Sequence, residues 1–211
     1  MNTEQTNTSS FPTKAQVVII GGGVVGCSVL YHLAERGIDA VLIEKNDLTN
    51  GATWHAVGLV GQIRSSRNAT RLVRYSAELY RNLEELTGQS AGWNEVGSLR
   101  VASSEARMME LRKIASQGKS FGLEVELLSP EQCKEKFPPM SIDKCVGGLW
   151  CPTDGYADPS MLTQALARGG RQKGGKIFRD TLVEGFENDG KNITKVITNK
   201  GTIECDTVVN A

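Results

Sequence analysis

Over its 211 residues this sequence has no excess charge of either sign: 24 lysines and arginines stand against 24 aspartates and glutamates. That balance creates no overall field to hold nucleic acid or an anionic bilayer, so small-molecule chemistry is the expectation. Paired cysteines are missing as well. Cys27, Cys133, Cys145, Cys151 and Cys205 are odd in number, scattered and never spaced as Cys-x-x-Cys, which argues against a disulfide framework and a zinc site. They read as reduced thiols, and a cytoplasmic location is expected. No apolar run approaches the roughly 18 to 20 residues that a membrane span needs. The opening MNTEQTNTSSFPTK has neither a signal-peptide core nor an arginine-rich amphipathic pattern, and residues 1–14 are expected to form a disordered leader. The Asn-x-Thr triplets at Asn68 and Asn192 are taken as chance matches. Histidine is almost absent, with His32 and His55 alone.

What is present is concentrated near the front. AQVVIIGGGVVGCSVLYHLAERGIDAVLIEK reads as strand, glycine turn, helix and strand. Val17 to Ile20 form the continuous apolar run of a parallel strand covered on both faces. Gly21, Gly23 and Gly26 satisfy Gly-x-Gly-x-x-Gly: the first permits the tight turn, the second admits a pyrophosphate to the backbone, and the third lets helix and strand pack closely. A helix over Val24 to Glu35 would point its unpaired N–H groups at the phosphates, with Gly37 ending it. Glu44 follows Gly26 by 18 residues, where a carboxylate accepts hydrogen bonds from an adenosine ribose. An acid there favours a free 2′-hydroxyl, leaving NAD and FAD. After the second strand comes KNDLTNGATWHAVGLVGQI, a long loop of small residues where a simple NAD domain proceeds into another helix; the loop suits a large planar ring and favours FAD.

The segments VVIIGGGVVGCSVLYHLAERG, VLIEK, GATWHAVGLVGQIR, EELTGQSAGWNEVGSLRVASS, LLSPEQCKEKFPPM, CPTDGYADPSMLTQALARG and VVNA resemble the FAD-dependent amine oxidoreductases of the D-amino-acid-oxidase/glycine-oxidase superfamily, in particular the dimethylglycine and sarcosine dehydrogenases. In those dehydrogenases the histidine matching His55 is bonded covalently to the 8α carbon of the flavin. The resemblance therefore implies a covalent FAD through His55. It also implies cofactor contacts at Gly21, Gly23, Gly26, Glu44, Lys45, Thr53 and Gly58, and a backbone contact from Val183 to adenine. It assigns no catalytic residue within this sequence.

Beyond Gln62, Leu72, Tyr75, Leu79, Leu83 and Leu86 recur at helical spacing, as do Arg64, Arg67, Arg71 and Arg74, which line one face if the helix extends that far back. A charged helical face is ordinarily a solvated one. Arg64, nearest the presumed flavin loop, is kept as a substrate candidate, because an amino-acid carboxylate suits a guanidinium fork. GSLRVA and VELLS read as strands and SSEARMMELRKIASQGKSFG as a helix. SPEQCKEKFP reads as a short helix opened by Ser129 and Gln132, and Pro159 as the first residue of another helix, with Asp158 as its cap. Tyr156 is expected to be a packing aromatic. The closing segment alternates apolar and polar residues around two turn signals, NDG and NKG, and resembles the superfamily's β-meander.

The expected fold class is α/β: a Rossmann-like FAD-binding domain with a β-meander and the start of an α+β substrate-side layer. Its expected divisions are residues 15–88 (FAD-binding, first part), 89–150 (substrate-side layer) and 151–211 (return to the FAD-binding domain). Because DTVVNA is an apolar strand with no polar ending, the sequence is expected to be the N-terminal part of a longer, truncated chain. The function that the resemblance implies is FAD-dependent oxidative demethylation of an N-methylated glycine, with an N-methyl amine as substrate, folate as a possible partner in the full-length protein, and no nucleic acid or membrane. Two alternatives remain: another amine or amino-acid oxidoreductase of the superfamily with non-covalent FAD, and an inactive FAD-binding fragment.

Overall fold

The computed structural model describes residues 10–211. They fall into two compact units: the described part of Met1–Ala56 with Leu83–Ala91 and Pro159–Ala211, and Val57–Asn82 with Gly92–Asp158.

The first unit is built on strand β1 (Lys14–Ile20), whose Val17, Val18 and Ile19 are buried. It pairs in parallel with β2 (Ala40–Ile43), buried throughout, and on its other side with β11 (Gly201–Asn210), Lys14 opposite Glu204 and Ile20 opposite Asn210. With β8 (Lys176–Phe178), β9 (Val183–Asn188) and β10 (Ile193–Thr198), the sheet order is β8-β2-β1-β11-β10-β9. The parallel part carries the uninterrupted apolar strands, as burial on both faces requires. β9, β10 and β11 form the antiparallel meander, joined across the NDG and NKG turns as expected. Helix α1 (Val24–Glu35) has the expected bounds. It stops because Gly37 takes φ +71° and donates to Ala34 O while Ile38 N–H donates to Leu33 O, the bond pair of a Schellman cap. Helix α5 (Pro159–Gln172) packs against α1 at close range. A Cβ on Gly169 would stand 2.6 Å from the Tyr31 ring, so the glycine is what lets the two helices approach.

In the second unit β4 (Ser98–Ala102), β6 (Gly147–Cys151) and β5 (Glu126–Leu128) make an antiparallel sheet of order β4-β6-β5. Helix α3 (Glu105–Ser120) supplies Met108, Leu111 and Ala115 to a core shared with Ala102, Leu149 and Cys151. Helix α4 (Pro130–Lys136) opens with the expected capping box: Ser129 Oγ accepts from Gln132 N–H at 3.2 Å and Gln132 Oε1 from Ser129 N–H at 2.9 Å. A two-stranded ribbon pairs β3 (Leu59–Val60) with β7 (Gly155–Tyr156).

Four expectations need correction. The leader does not extend to residue 14. Its first nine residues lie outside the described ones, but Phe11 meets Phe178 edge-on at 5.3 Å, Thr13 O accepts from Glu204 N–H, and β1 already begins at Lys14. Residues 57–82 and 151–158 group with the second unit instead of the nucleotide domain, because β3 pairs with β7 and Gln62 is bonded to Asp154. The helix after Gln62, α2 (Arg67–Thr87), begins past Arg64: Ser66 Oγ accepts from Ala69 N–H at 3.2 Å and caps it, so Arg64 does not share its face. Tyr156, expected to pack, is exposed; on α2 the buried side carries Thr70, Ala77, Leu83 and Thr87, while Leu72, Tyr75 and Leu86 are exposed.

Candidate functional site: the glycine turn and the loop after β2

Three glycines in the turn between β1 and α1, and a fourth in the first turn of α1, are small for different reasons. Gly21 has φ +110°, and a Cβ there would overlap the Ala211 carbonyl oxygen. A Cβ on Gly26 would overlap the Gly21 carbonyl oxygen, so this glycine lets the helix sit on the turn. One on Gly22 would press on Leu48 at 2.6 Å. Gly23 differs. Its backbone is extended (φ −78°, ψ −178°), and a Cβ would meet only Thr53 Oγ1, at 3.0 Å. Within the chain, Gly23 is crowded at that one hydroxyl alone, as expected where the other crowding neighbour is a ligand.

Hydrogen bonding points the same way. Thr53 Oγ1 accepts from Val24 N–H at 3.0 Å, and Cys27 N–H makes the first helical bond to Gly23 O. The N–H groups of Gly23 and Val25 have no partner among the described residues, leaving two donors at the positive end of α1 for an anion. Glu44 stands at the mouth of the turn, its Oε2 accepting from Gly22 N–H at 2.6 Å and its Oε1 from Asn46 N–H at 2.8 Å. Its backbone is strapped by Phe178 O and Thr181 N–H, both at 2.9 Å. Each carboxylate oxygen keeps a lone pair for a ribose hydroxyl. Beneath the turn, burial pushes the Cys27 thiol up to about 12, the Arg171 guanidinium opposing and Glu44 adding to it; this is a neutral packing group.

The loop after β2 returns to this turn. Thr53–His55 form a short 3-10 turn, whose Thr53 is the residue that caps α1. His55 is exposed, its Nδ1 lies 3.1 Å from Gly51 O, and its ring stands against Trp54 at 4.0 Å. An Nδ1–H donated to that carbonyl leaves the Nε2 lone pair free. Gly21, Gly23, Gly26, Glu44, Thr53 and His55 are thus brought together in the first unit. Lys45 is exposed beside Glu44, and Val183 opens β9 two residues after Thr181. Gly58 belongs to the second unit, with φ +79°, its carbonyl accepting from Ala157 N–H. These residues fit a dinucleotide with a free ribose: a cradle at Gly23, two orphan donors and a carboxylate.

Residues 16–211 match the family described as FAD dependent oxidoreductase (DAO). The chain belongs to this family. Over 206 residues it is 38% identical to the mitochondrial sarcosine dehydrogenase of Mus musculus, covering 94% of this chain and 22% of that protein. Over 199 residues it is 38% identical to the mitochondrial dimethylglycine dehydrogenase of Homo sapiens, covering 94% and 23%. Its fold is similar to the crystal structure of L-proline dehydrogenase from P. horikoshii, with a TM-score of 0.90 and 32% identity over 95% of this chain and 53% of that one. The chain spans about a fifth of the length of the curated relatives it matches.

The second unit of this FAD-dependent oxidoreductase chain holds a polar knot that sequence reasoning missed. Asp154 is fully buried. Its Oδ1 accepts from Gln62 N–H at 2.8 Å and from Gln62 Nε2 at 3.3 Å, and its Oδ2 accepts from Ser98 Oγ at 2.6 Å. An Asp-Gly pair announces a turn; nothing in one sequence says that its carboxylate is buried. Arg64 lies just after the knot, its N–H donating to Thr70 Oγ1 at 3.2 Å and its guanidinium exposed. A cleft of about 520 Å³ runs along α2, lined by Arg71, Arg74, Tyr75 and Glu78 among others; Arg64 does not line it. The described cysteines are all free. Burial pushes Cys133 and Cys151 up to about 11, so neither is a ready nucleophile near neutral pH.

Proposed function

We propose that the protein is an FAD-dependent dehydrogenase that demethylates an N-methylated glycine, sarcosine or dimethylglycine, and that His55 anchors its flavin covalently. The observation that carries this reading is the Thr53–His55 turn. One of its residues caps the helix of the dinucleotide cradle, and another presents an exposed imidazole whose Nδ1 is engaged by Gly51 O. That arrangement makes Nε2 the attacking atom, held in place before it reacts. Two relatives named as sarcosine and dimethylglycine dehydrogenases match 94% of the chain at 38% identity, which supports the substrate class. The bound flavin supplies the two-electron oxidation, accepting hydride from the carbon attached to nitrogen. The chain's own residues hold the cofactor: the Gly23 and Val25 N–H groups take the pyrophosphate, Glu44 the ribose, and the Val183 backbone the adenine. Arg64 serves the substrate carboxylate. The iminium product is captured by water or by folate.

The experiment is peptide mass analysis of the purified yellow protein. A tryptic peptide containing His55 is expected to carry the added mass of the flavin. An unmodified His55 peptide from a fully flavinated, active preparation rejects the covalent anchor and favours a superfamily amine oxidoreductase with reversibly held FAD.

A further inference from the structure

Two thiols of the second unit meet where β6 begins. Cys133, on α4, is fully buried and lies directly on the sheet: a Cβ on Gly148 would stand 2.6 Å from its Sγ, so that glycine makes room for the sulfur. Cys145 precedes β6 in a turn closed by its own N–H donating to Ile142 O at 2.9 Å, and its thiol donates to Gly147 O at 3.6 Å. The two sulfurs are therefore stationed at adjacent residues of one strand, Gly147 and Gly148. They also act on each other: burial first, then the charge and the hydrogen bond of the Cys145 thiol, push Cys133 up to about 11.

The remaining thiols stand apart from this pair. Cys151 lies further along β6 on the face opposite to that of Gly148, in the core with Leu149 and 3.9 Å from Thr153 Oγ1. Cys27 and Cys205 belong to the first unit. Within the pair, access differs. Cys145 is half-buried and lines a surface hollow of about 330 Å³ together with Val101, Ser103, Ser141, Asp143 and Lys144, whereas Cys133 does not line it. A small oxidant that enters the hollow meets Cys145, with the second sulfur waiting behind it.

We propose that Cys145 and Cys133 form a modification site for hydroperoxides, in which Cys145 is oxidised first and Cys133 then closes an intramolecular disulfide that ties α4 to the start of β6. In the first step the Cys145 sulfur attacks a peroxide oxygen: the S–O bond forms, the O–O bond breaks, and the leaving oxygen departs as water or an alcohol with the thiol proton. In the second the Cys133 sulfur attacks that of Cys145: the S–S bond forms, the S–O bond breaks, and the hydroxide leaves as water with the Cys133 proton. The two thiols lose two electrons and the peroxide gains them. Cys145 sits on a turn and Cys133 on a helix fixed by its capping box, so the turn makes the movement that brings the sulfurs to bonding distance, about 2 Å.

The test uses the intact protein with hydrogen peroxide as the probe. Remaining thiols are blocked under denaturing conditions, and the protein is cut with chymotrypsin, which parts Cys145 from Cys151 at Trp150. Mass analysis is expected to show the Cys133 and Cys145 peptides joined, the link lost on reduction with dithiothreitol, and Cys151 recovered as a blocked thiol. Cys133→Ala removes the resolving sulfur, so dimedone should label Cys145 after peroxide; in Cys145→Ala, burial should make dimedone labelling of Cys133 about tenfold slower or more. The thermal midpoint of the parent should rise on oxidation, and that rise should be absent from both variants. Cys145 recovered unlinked from the peroxide-treated parent, whether as a blocked thiol or as a sulfinic acid, overturns the pair. Equal dimedone labelling of Cys145 and Cys133 in the two variants overturns the order of the two steps.

Discussion

Replacing Gly23 with alanine should separate cofactor binding from folding. The added methyl would have a single neighbour within 4 Å, Thr53 Oγ1 at 3.0 Å, and the backbone at Gly23 is one that alanine adopts freely. The folding cost is bounded by the Thr53–Val24 hydrogen bond, about 0.5–1.5 kcal/mol. The methyl nevertheless stands where a pyrophosphate must come to reach the Gly23 and Val25 N–H groups. Losing two hydrogen bonds to a charged acceptor, about 1.5–3 kcal/mol each, amounts to roughly 3–6 kcal/mol. At about 1.4 kcal/mol per factor of ten, FAD affinity should fall by roughly 10²- to 10⁴-fold. The measurement is fluorescence titration of FAD into apoprotein, made in a His55→Ala background so that binding is reversible, with thermal unfolding in parallel. Gly26→Ala supplies the contrast. Its Cβ would overlap the Gly21 carbonyl oxygen, so it should lose stability by about 1–3 kcal/mol or more before any cofactor is added. If Gly23→Ala binds FAD within threefold of its parent, the cradle has been placed at the wrong residue.

Three further outcomes are expected. Glu44→Gln keeps one acceptor oxygen and should weaken FAD binding about tenfold, whereas Glu44→Arg inverts the charge beside Gly22 and Asn46 and should weaken it far more; equal affinities in both variants and the parent would remove Glu44 from the ribose. His55→Ala should give a folded protein that loses its flavin on acid precipitation while keeping reduced activity, and His32→Ala should keep the flavin bound; flavin retained in precipitated His55→Ala refutes the anchor. The third concerns alkaline stability. The Cys27 thiol is raised from 9.0 to about 12 in the folded protein, so the stability it contributes is fully present below pH 9 and lost as pH rises from 9 towards 12. Cys27→Ala should therefore flatten the fall in unfolding free energy over that window, and an unchanged slope would show that the thiol is not held neutral.

Legibility followed the range of the forces involved. The glycine turn, α1 with its stop at Gly37, the Ser129–Gln132 capping box and the two hairpins all depend on neighbours a few residues away, and all appear where the sequence put them. The errors arose where distant segments decide. The helical spacing of Leu72 and Tyr75 marks α2 but not its buried side, which carries Thr70 and Ala77. Arg64 keeps the helical period of Arg67, Arg71 and Arg74, but the Ser66 cap outranks that period. The placement of Glu44 and Thr53 beside the turn was legible because a motif and a resemblance preserve their spacing from it. Asp154 meets Gln62 and Ser98 only after β3, β4 and β7 have assembled, and no short-range pattern marks that meeting.

The parallel pairing of β1 with β11 has a consequence during synthesis. Lys14 waits for Glu204, and Ile20 for Asn210, so the strand carrying the glycine turn acquires its second neighbour only when residues through 210 have left the ribosome. At about 5–20 residues per second this interval lasts roughly 10–40 seconds. Throughout it β1 presents Val17, Val18 and Ile19 along an open sheet edge, the kind of surface that templates aggregation. A holdase that shields nascent β1 through this interval is therefore expected to raise the yield of folded protein.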